Sequence, residues 1–224
     1  MNTYNAIRKV QSAPQADPKV LAALREIPVA ALSDNMHRNI GTAGLHPYHR
    51  PGRQTMAGTA VTARSRGGDN LTILRALEFC RPGDVLVVDA GGDVNNAIVG
   101  GILSFYAAHI GLQGVVVDGA IRDVAEIRER DFPVYARGVT HRGPYKDGPG
   151  EINVAISVGG MVVNPGEVVV GDQDGLLAIP LLGIEQLIER ARVHLEGEAQ
   201  TIQAMKDGRW DRAFIDALEA RCNN

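Results

Sequence analysis

The apolar positions of this chain change their period several times, and each change marks an element. Val85 to Val88 and Val115 to Val117 are short β-branched runs, and between them Ile98, Ile102, Phe105 and Tyr106 recur at helical spacing. The pattern predicts a strand–helix–strand unit over positions 84–123, DVLVVDAGGDVNNAIVGGILSFYAAHIGLQGVVVDGAIRD, with a glycine-bearing loop ahead of the helix. A βαβ unit of this kind brings strand ends and helix N-termini into one crevice, where α/β sheets usually hold their ligands.

The flanking segments extend an α/β reading. Pro18 to Ile27 and Pro28 to Arg38 fit short helices, MAGTAVTARS at 56–65 alternates like a strand, and Asn70 to Phe79 fits a helix begun by Asn70. The long loop from Asn39 to Thr55, rich in Gly, Pro and His, is of a kind that often carries function. After Asp123 the segment DVAEIRERD predicts a helix capped by Asp123, followed by a strand from Phe132 to Ala136. Short Val-rich strands from Ile152 to Pro180, broken at Gly159-Gly160, Asn164-Pro165-Gly166 and Asp172 to Gly175, predict a β-meander. Helices over Ile184 to Lys206 and Arg212 to Arg221 end the chain. The domain organisation expected is an N-terminal arm (1–18), one α/β domain (19–183) and a helical extension (184–224). The polar arm is expected to be ordered only where a partner subunit holds it.

Composition narrows the class. With 224 residues, 45% hydrophobic and 22% charged, the chain can bury a substantial core, and no apolar stretch is long enough to span a bilayer. The first residues lack the marks of a secretory signal, so a soluble, cytoplasmic protein is expected, with no membrane partner. Cys80 and Cys222 have no metal-ligand or CxxC spacing and are expected to be free thiols. The formal charge of −3 argues against a nucleic-acid partner, since phosphate neutralisation needs clustered Lys and Arg. The His-Arg pairs at 37–38, 49–50 and 141–142 are too scattered to change this, though they could line a pocket for a small anion.

The chemistry points to one region. Gly100 and Gly101 sit in a helical pattern where each costs about 1 kcal/mol relative to alanine. Either close helix–sheet packing compensates, or the bare N–H groups of Gly100 to Leu103 hold a carboxylate or phosphate. Arg122 and Asp123 should emerge at the carboxyl end of a strand, after a tight Asp118-Gly119 turn. The Arg fork suits a carboxylate or 2-oxo group and the Asp a hydrated hard cation, while the structural alternative is a surface Arg beside a helix-capping Asp. Walker A, GxSxG, HExxH and GxGxxG patterns are absent. His109 is expected in the core or an interface and His141 near a pocket or interface. Asp89 and Asp93 end a strand and its loop.

Taken together, GDVLVVDAGG, VGGIL, GVVVDGAIRD, PVYARGVT and VNPGEVVVGDQDGLLAIP resemble the family that contains the regulator of ribonuclease E activity A and the 4-hydroxy-4-methyl-2-oxoglutarate aldolases. The resemblance spans about residues 20–185. It implies a β/β/α fold with a central sheet or barrel flanked by helices, assembled as a homotrimer or dimer of trimers with active sites between subunits. It also implies a metal-dependent lyase that cleaves or decarboxylates small 2-oxo acids, 4-hydroxy-4-methyl-2-oxoglutarate or oxaloacetate, through a pyruvate enolate. The substrate carboxylate would lie on the backbone of Gly100, Gly101, Ile102 and Leu103, with Arg122 on the 2-oxo acid. Asp123 would hold Mg2+ or Mn2+, largely through waters. The aldolases carry Asp or Glu where this chain has Gly101. A general base would then come from Asp93, His141 or a neighbouring subunit, and the substitution favours decarboxylation over retro-aldol cleavage. The regulator also has glycine there, so a non-enzymatic protein-binding regulator is the alternative.

Overall fold

The structure, a computed structural model, describes residues 6–38, 40–50 and 55–222. Twelve strands are formed: β1 (Ile7–Lys9), β2 (His46–Pro47), β3 (Met56–Ser65), β4 (Asp84–Asp89), β5 (Ala97–Val99), β6 (Gly114–Ile121), β7 (Val134–Val139), β8 (Gly150–Ile152), β9 (Ile156–Val158), β10 (Met161–Val163), β11 (Val168–Gly171) and β12 (Leu176–Ile179). The helices are α1 (Pro18–Arg25), α2 (Val29–Asp34), α3 (Leu71–Ala76), α4 (Gly101–His109), α5 (Val124–Glu129), α6 (Ile184–Lys206) and α7 (Ala213–Cys222). Ten of these strands form one sheet, ordered β1-β8-β3-β4-β6-β7-β2, with the β11–β12 hairpin also paired to β3, and β5 paired to β6. This is a mixed α/β fold with a central sheet flanked by helices.

The continuous apolar runs have a direct cause. β3, β4, β6 and β7 are parallel, joined by crossovers through α3, α4 and α5, and such a sheet is covered on both faces. Alternate residues of β4 therefore enter different cores. Leu86 and Val88 pack under the helices with Ile73, Ala107 and Ile127. Val85 and Val87 face the β9–β10 hairpin, with Ile156, Val158 and Met161. A third core joins α1, α2 and the first turns of α6 to β11 and β12. The predicted meander is thus divided: β9 and β10 form a separate two-stranded ribbon turned by Gly159 and Gly160, both at positive φ, while β11 and β12 extend the main sheet.

Four local expectations need correction. The arm is held by its own chain, since β1 pairs in parallel with β8, Asn153 Nδ2 donates to Val10 O, and Gln15 reaches Asp84 Oδ1 at 2.8 Å. Ile98 belongs to β5, and α4 turns Gly101, Ser104 and Ala107 towards the sheet while Ile102, Phe105 and Tyr106 are exposed. Periodicity finds a face but not its direction, and small residues let this helix approach the sheet closely. Asp118 and Gly119 lie inside β6, where the register with β7 shifts, and form no turn after it. Asn70 occupies the N-cap position of α3, yet the capping carboxylate is that of Asp69, which accepts from Leu71 N at 2.9 Å.

Cys80 is a free thiol, and its burial, with the Asp84 carboxylate nearby, pushes it up to about 12. Among the described residues no helix is long and apolar enough to cross a membrane. Part of the 39–55 loop lies outside the described residues, as do positions 1–5 of the arm.

Candidate active site

The site is built where β5, β6 and α4 meet. β6 ends at Ile121, so Arg122 and Asp123 leave the carboxyl edge of the sheet, and Arg122 N donates to Val99 O at the end of β5. Asp123 adopts a left-handed backbone, φ 60°, which Asp tolerates better than most residues. This turn starts α5, but the Asp123 side chain does not cap it. Instead Oδ2 crosses to accept from Gly101 N at 2.9 Å, and it lies 3.6 Å from Arg122 Nε. The carboxylate therefore links the first residue of α4 to the end of β6.

Both glycines answer to this crowding. A Cβ at Gly100 would lie 2.6 Å from Asp123 Oδ2 and 3.0 Å from Arg122 Cγ. A Cβ at Gly101 would collide with Oε2 of Glu126, one turn further along α5. Glu126 is in turn ion-paired with Arg130, whose Nη1 donates to Gly101 O at 2.7 Å and whose guanidinium lies over the Phe105 ring. The close approach that compensates the glycines is thus made by charged side chains as well as by packing.

A cavity of about 220 Å³ opens at this point, lined by Gly100, Ile102, Leu103, Arg122 and Asp123 among others. It is smaller than the range of about 300–1,000 Å³ usual for drug-sized ligands, and suits a small acid. The first-turn N–H groups of Ile102 and Leu103 have no acceptor within the helix, so the α4 N-terminus offers an anion two donors and the positive dipole end. Gly101 is buried beneath the rim, and its N–H is occupied by Asp123.

Two further lining residues were not singled out by the sequence. Asn70 is 6% exposed, its Nδ2 donating to Ile98 O at 3.3 Å while its Oδ1 has no partner. A buried acceptor left unmade costs roughly 1–3 kcal/mol, so a donor from a ligand or water is called for. Lys146, an exposed residue, also lines the cavity. His141, Asp93 and Glu126 do not line the cavity; His141 is exposed, Asp93 Oδ1 accepts from Asn95 N at 3.1 Å, and Glu126 lies behind Gly101. His109 is exposed on α4 and stacks on Phe105, not in the core. Asp89, the last residue of β4, lies 3.6 Å from Arg64 and does not line the cavity.

No cluster of three or more His, Cys, Asp or Glu suited to a metal occurs among the described residues. The residues present nevertheless fit a hydrated hard cation. Mg2+ is commonly held by only one or two carboxylates with several waters, and Asp123 faces the cavity half-exposed, with Glu126 one turn away.

The fold is that of an α/β protein in which the carboxyl ends of parallel strands carry an arginine and a carboxylate beside an open helix N-terminus and a small cavity. More particularly, the chain belongs to the Aldolase/RraA family, whose sequence model matches residues 29–178. It is 36% identical over 207 residues to a Halalkalibacterium halodurans protein named "Putative 4-hydroxy-4-methyl-2-oxoglutarate aldolase", covering 91% of this chain and 97% of that one. It is 40% identical over 129 residues to the 4-hydroxy-4-methyl-2-oxoglutarate aldolase of Thermus thermophilus, covering 58% and 78%. Among solved structures, Streptomyces coelicolor RraAS2, described as an unusual member of the RNase ES inhibitor RraA protein family, superposes with a TM-score of 0.76 at 27% identity, over 84% of this chain and 98% of that one.

Proposed function

We propose that this chain is a divalent-metal-dependent carbon–carbon lyase acting on small 2-oxo diacids, with 4-hydroxy-4-methyl-2-oxoglutarate and oxaloacetate as the substrate types. The observation that carries the reading is Glu126. Its carboxylate occupies the space into which a side chain at 101 would grow, which supports Glu126 in the role of the acid that the resemblance places at 101.

Each group then has a task set by its chemistry. The Ile102 and Leu103 N–H groups take the C1 carboxylate, and Arg122 bridges that carboxylate and the 2-oxo oxygen. Lys146 pairs with the distal carboxylate, and Asn70 Oδ1 accepts from the substrate hydroxyl or a water. Asp123, with Glu126 nearby, would hold Mg2+ or Mn2+ through waters, and the bound cation supplies Lewis acidity at the 2-oxo group. In aldol cleavage Glu126, directly or through a water, removes the C4 hydroxyl proton. The C3–C4 bond breaks as the C4 carbonyl forms, the electron pair passes into the enolate of pyruvate, and protonation at C3 completes the product. In oxaloacetate the same bond releases CO2, and no hydroxyl proton has to be removed.

Purified protein is expected to release pyruvate from oxaloacetate faster than the metal ion alone, and to lose this excess when EDTA replaces Mg2+. Equal rates with and without protein would contradict the reading.

The proposal extends to assembly as a homotrimer or dimer of trimers. Ile102, which lines the cavity, and Phe105 and Tyr106 on the same helix are 82%, 56% and 48% exposed, and α7 leaves Phe214 and Leu218 half-exposed. Apolar surface of this kind is characteristic of interfaces. Light scattering is expected to give at least three times the chain mass of 23.9 kDa. A stable monomer at micromolar concentration would refute this.

A further inference from the structure

Two polar residues of the cavity lining come from segments far apart in sequence, Asn70 and the loop carrying Lys146, and a single buried carboxylate ties these segments together. Asp69 is fully buried, 0% exposed. Its Oδ1 accepts from Leu71 N at 2.9 Å, which fixes the start of α3. Its Oδ2 accepts from Asp147 N at 2.6 Å and Gly148 N at 3.1 Å, and lies 3.2 Å from Arg66 Nη2. The backbone repeats the connection, since Tyr145 N donates to Gly68 O at 2.8 Å and Asn70 N to Tyr145 O at 3.0 Å. The residues that Asp69 separates or adjoins are the two pocket groups, Asn70 directly after it and Lys146 directly before one of its donors.

A buried charge is retained only where it is well satisfied, and this one spends its acceptors on the loop opposite. We propose that Asp69 is the positioning residue of the distal-carboxylate subsite, holding Lys146 at the distance from the α4 N-terminus that admits a 2-oxo dicarboxylate and disfavours the monocarboxylate. Asp69 touches no substrate. It acts through the 145–148 backbone, which carries the ammonium; its other oxygen, on Leu71 N, fixes the α3 start and Asn70, and Asp69→Asn keeps an oxygen for that contact. The inference rests on the proposed lyase function for its substrate but not for its geometry.

The test uses full-length Asp69→Asn, which keeps the shape and turns one acceptor into a donor facing donors. The KM for oxaloacetate is expected to rise about tenfold with kcat within about twofold, the size of effect that follows from losing charge-assisted hydrogen bonds behind a binding group. The KM for 4-hydroxy-2-oxopentanoate, which lacks the distal carboxylate, should stay unchanged. An equal rise on both substrates, or no rise on either, would overturn the assignment. Hydrogen exchange read by mass spectrometry supplies a measure independent of turnover. Peptides covering 145–148 should exchange at least about tenfold faster in the variant while those of β4 and β6 keep the wild-type rate. Wild-type protein inactive on both substrates would refute the lyase reading, and the exchange result would still decide whether Asp69 pins the loop. Should Asp69→Asn not fold, Asp69→Ser retains a cap for Leu71 N but cannot reach Asp147 and Gly148, and the same two outcomes are expected of it.

Discussion

Arg122→Ala and Asp123→Asn are each expected to lower metal-dependent pyruvate release from either substrate by about 10²- to 10³-fold, the loss typical of removing one preorganised electrostatic contact in an active site. The two substitutions fail for different reasons. Arg122 offers a planar fork at the end of β6, and Ala removes both its charge and its geometry; Arg122→Lys should recover part of the charge effect only. Asp123→Asn keeps the left-handed turn, which Asn also tolerates, and keeps an acceptor for Gly101 N. What it removes is the negative charge that would hold a cation. Its thermal midpoint should therefore remain near that of the wild type while activity falls. Rates within about twofold of wild type in either purified, folded variant would remove these residues from the site.

Glu126→Gln separates the two reactions. Retro-aldol cleavage needs a base for the C4 hydroxyl, and a positioned base contributes about 10²–10⁴-fold, so cleavage of 4-hydroxy-4-methyl-2-oxoglutarate should fall by that order. Oxaloacetate decarboxylation has no such proton to remove and should stay within a few-fold. The substitution is nearly isosteric and leaves an oxygen able to accept from Arg130, so the α4–α5 contact should persist. A parallel loss of both activities would mean that Glu126 serves structure or the cation and not the hydroxyl proton. Unchanged activity on both would exclude it as the base.

Much of the site was legible because its parts lie within one βαβ unit. The apolar runs of β4 and β6, the glycines at 100 and 101 and the Arg122-Asp123 pair fall within some forty positions, and the strand ends bring them together. The family followed from the order of those motifs. What stayed hidden depends on tertiary register. Asn70 and Lys146 line one cavity because Asp69 and the Tyr145 backbone join the loops that follow β3 and β7, and no local pattern announces that connection. Glu126 was within reach, since it stands three positions after Asp123 in a helix and therefore beside it. Asp93 and His141 are candidates by their loop positions, and neither lines the cavity.

The misread helix α4 has a similar origin. Its spacing marked Ile102, Phe105 and Tyr106 as one face, and only the tight seat of Gly101, Ser104 and Ala107 on the sheet shows that this face points outward. The N-terminal arm was polar enough to look detached, yet its backbone pairs with β8 and its Gln15 and Ala16 find partners on β3 and β4. Backbone hydrogen bonds do not depend on side-chain hydrophobicity, so composition gave no sign of them.

The proposed role of Glu126, standing in for the acid missing at 101, is what separates the aldolase reading from a decarboxylase or a regulator. The most direct measurement is pyruvate formed from 4-hydroxy-4-methyl-2-oxoglutarate by the wild-type protein with Mg2+. The account predicts turnover that yields two pyruvates per substrate consumed and that Glu126→Gln abolishes. Turnover of oxaloacetate alone, or of neither substrate by folded protein, would contradict it, the second result favouring a regulator that keeps the fold without the chemistry.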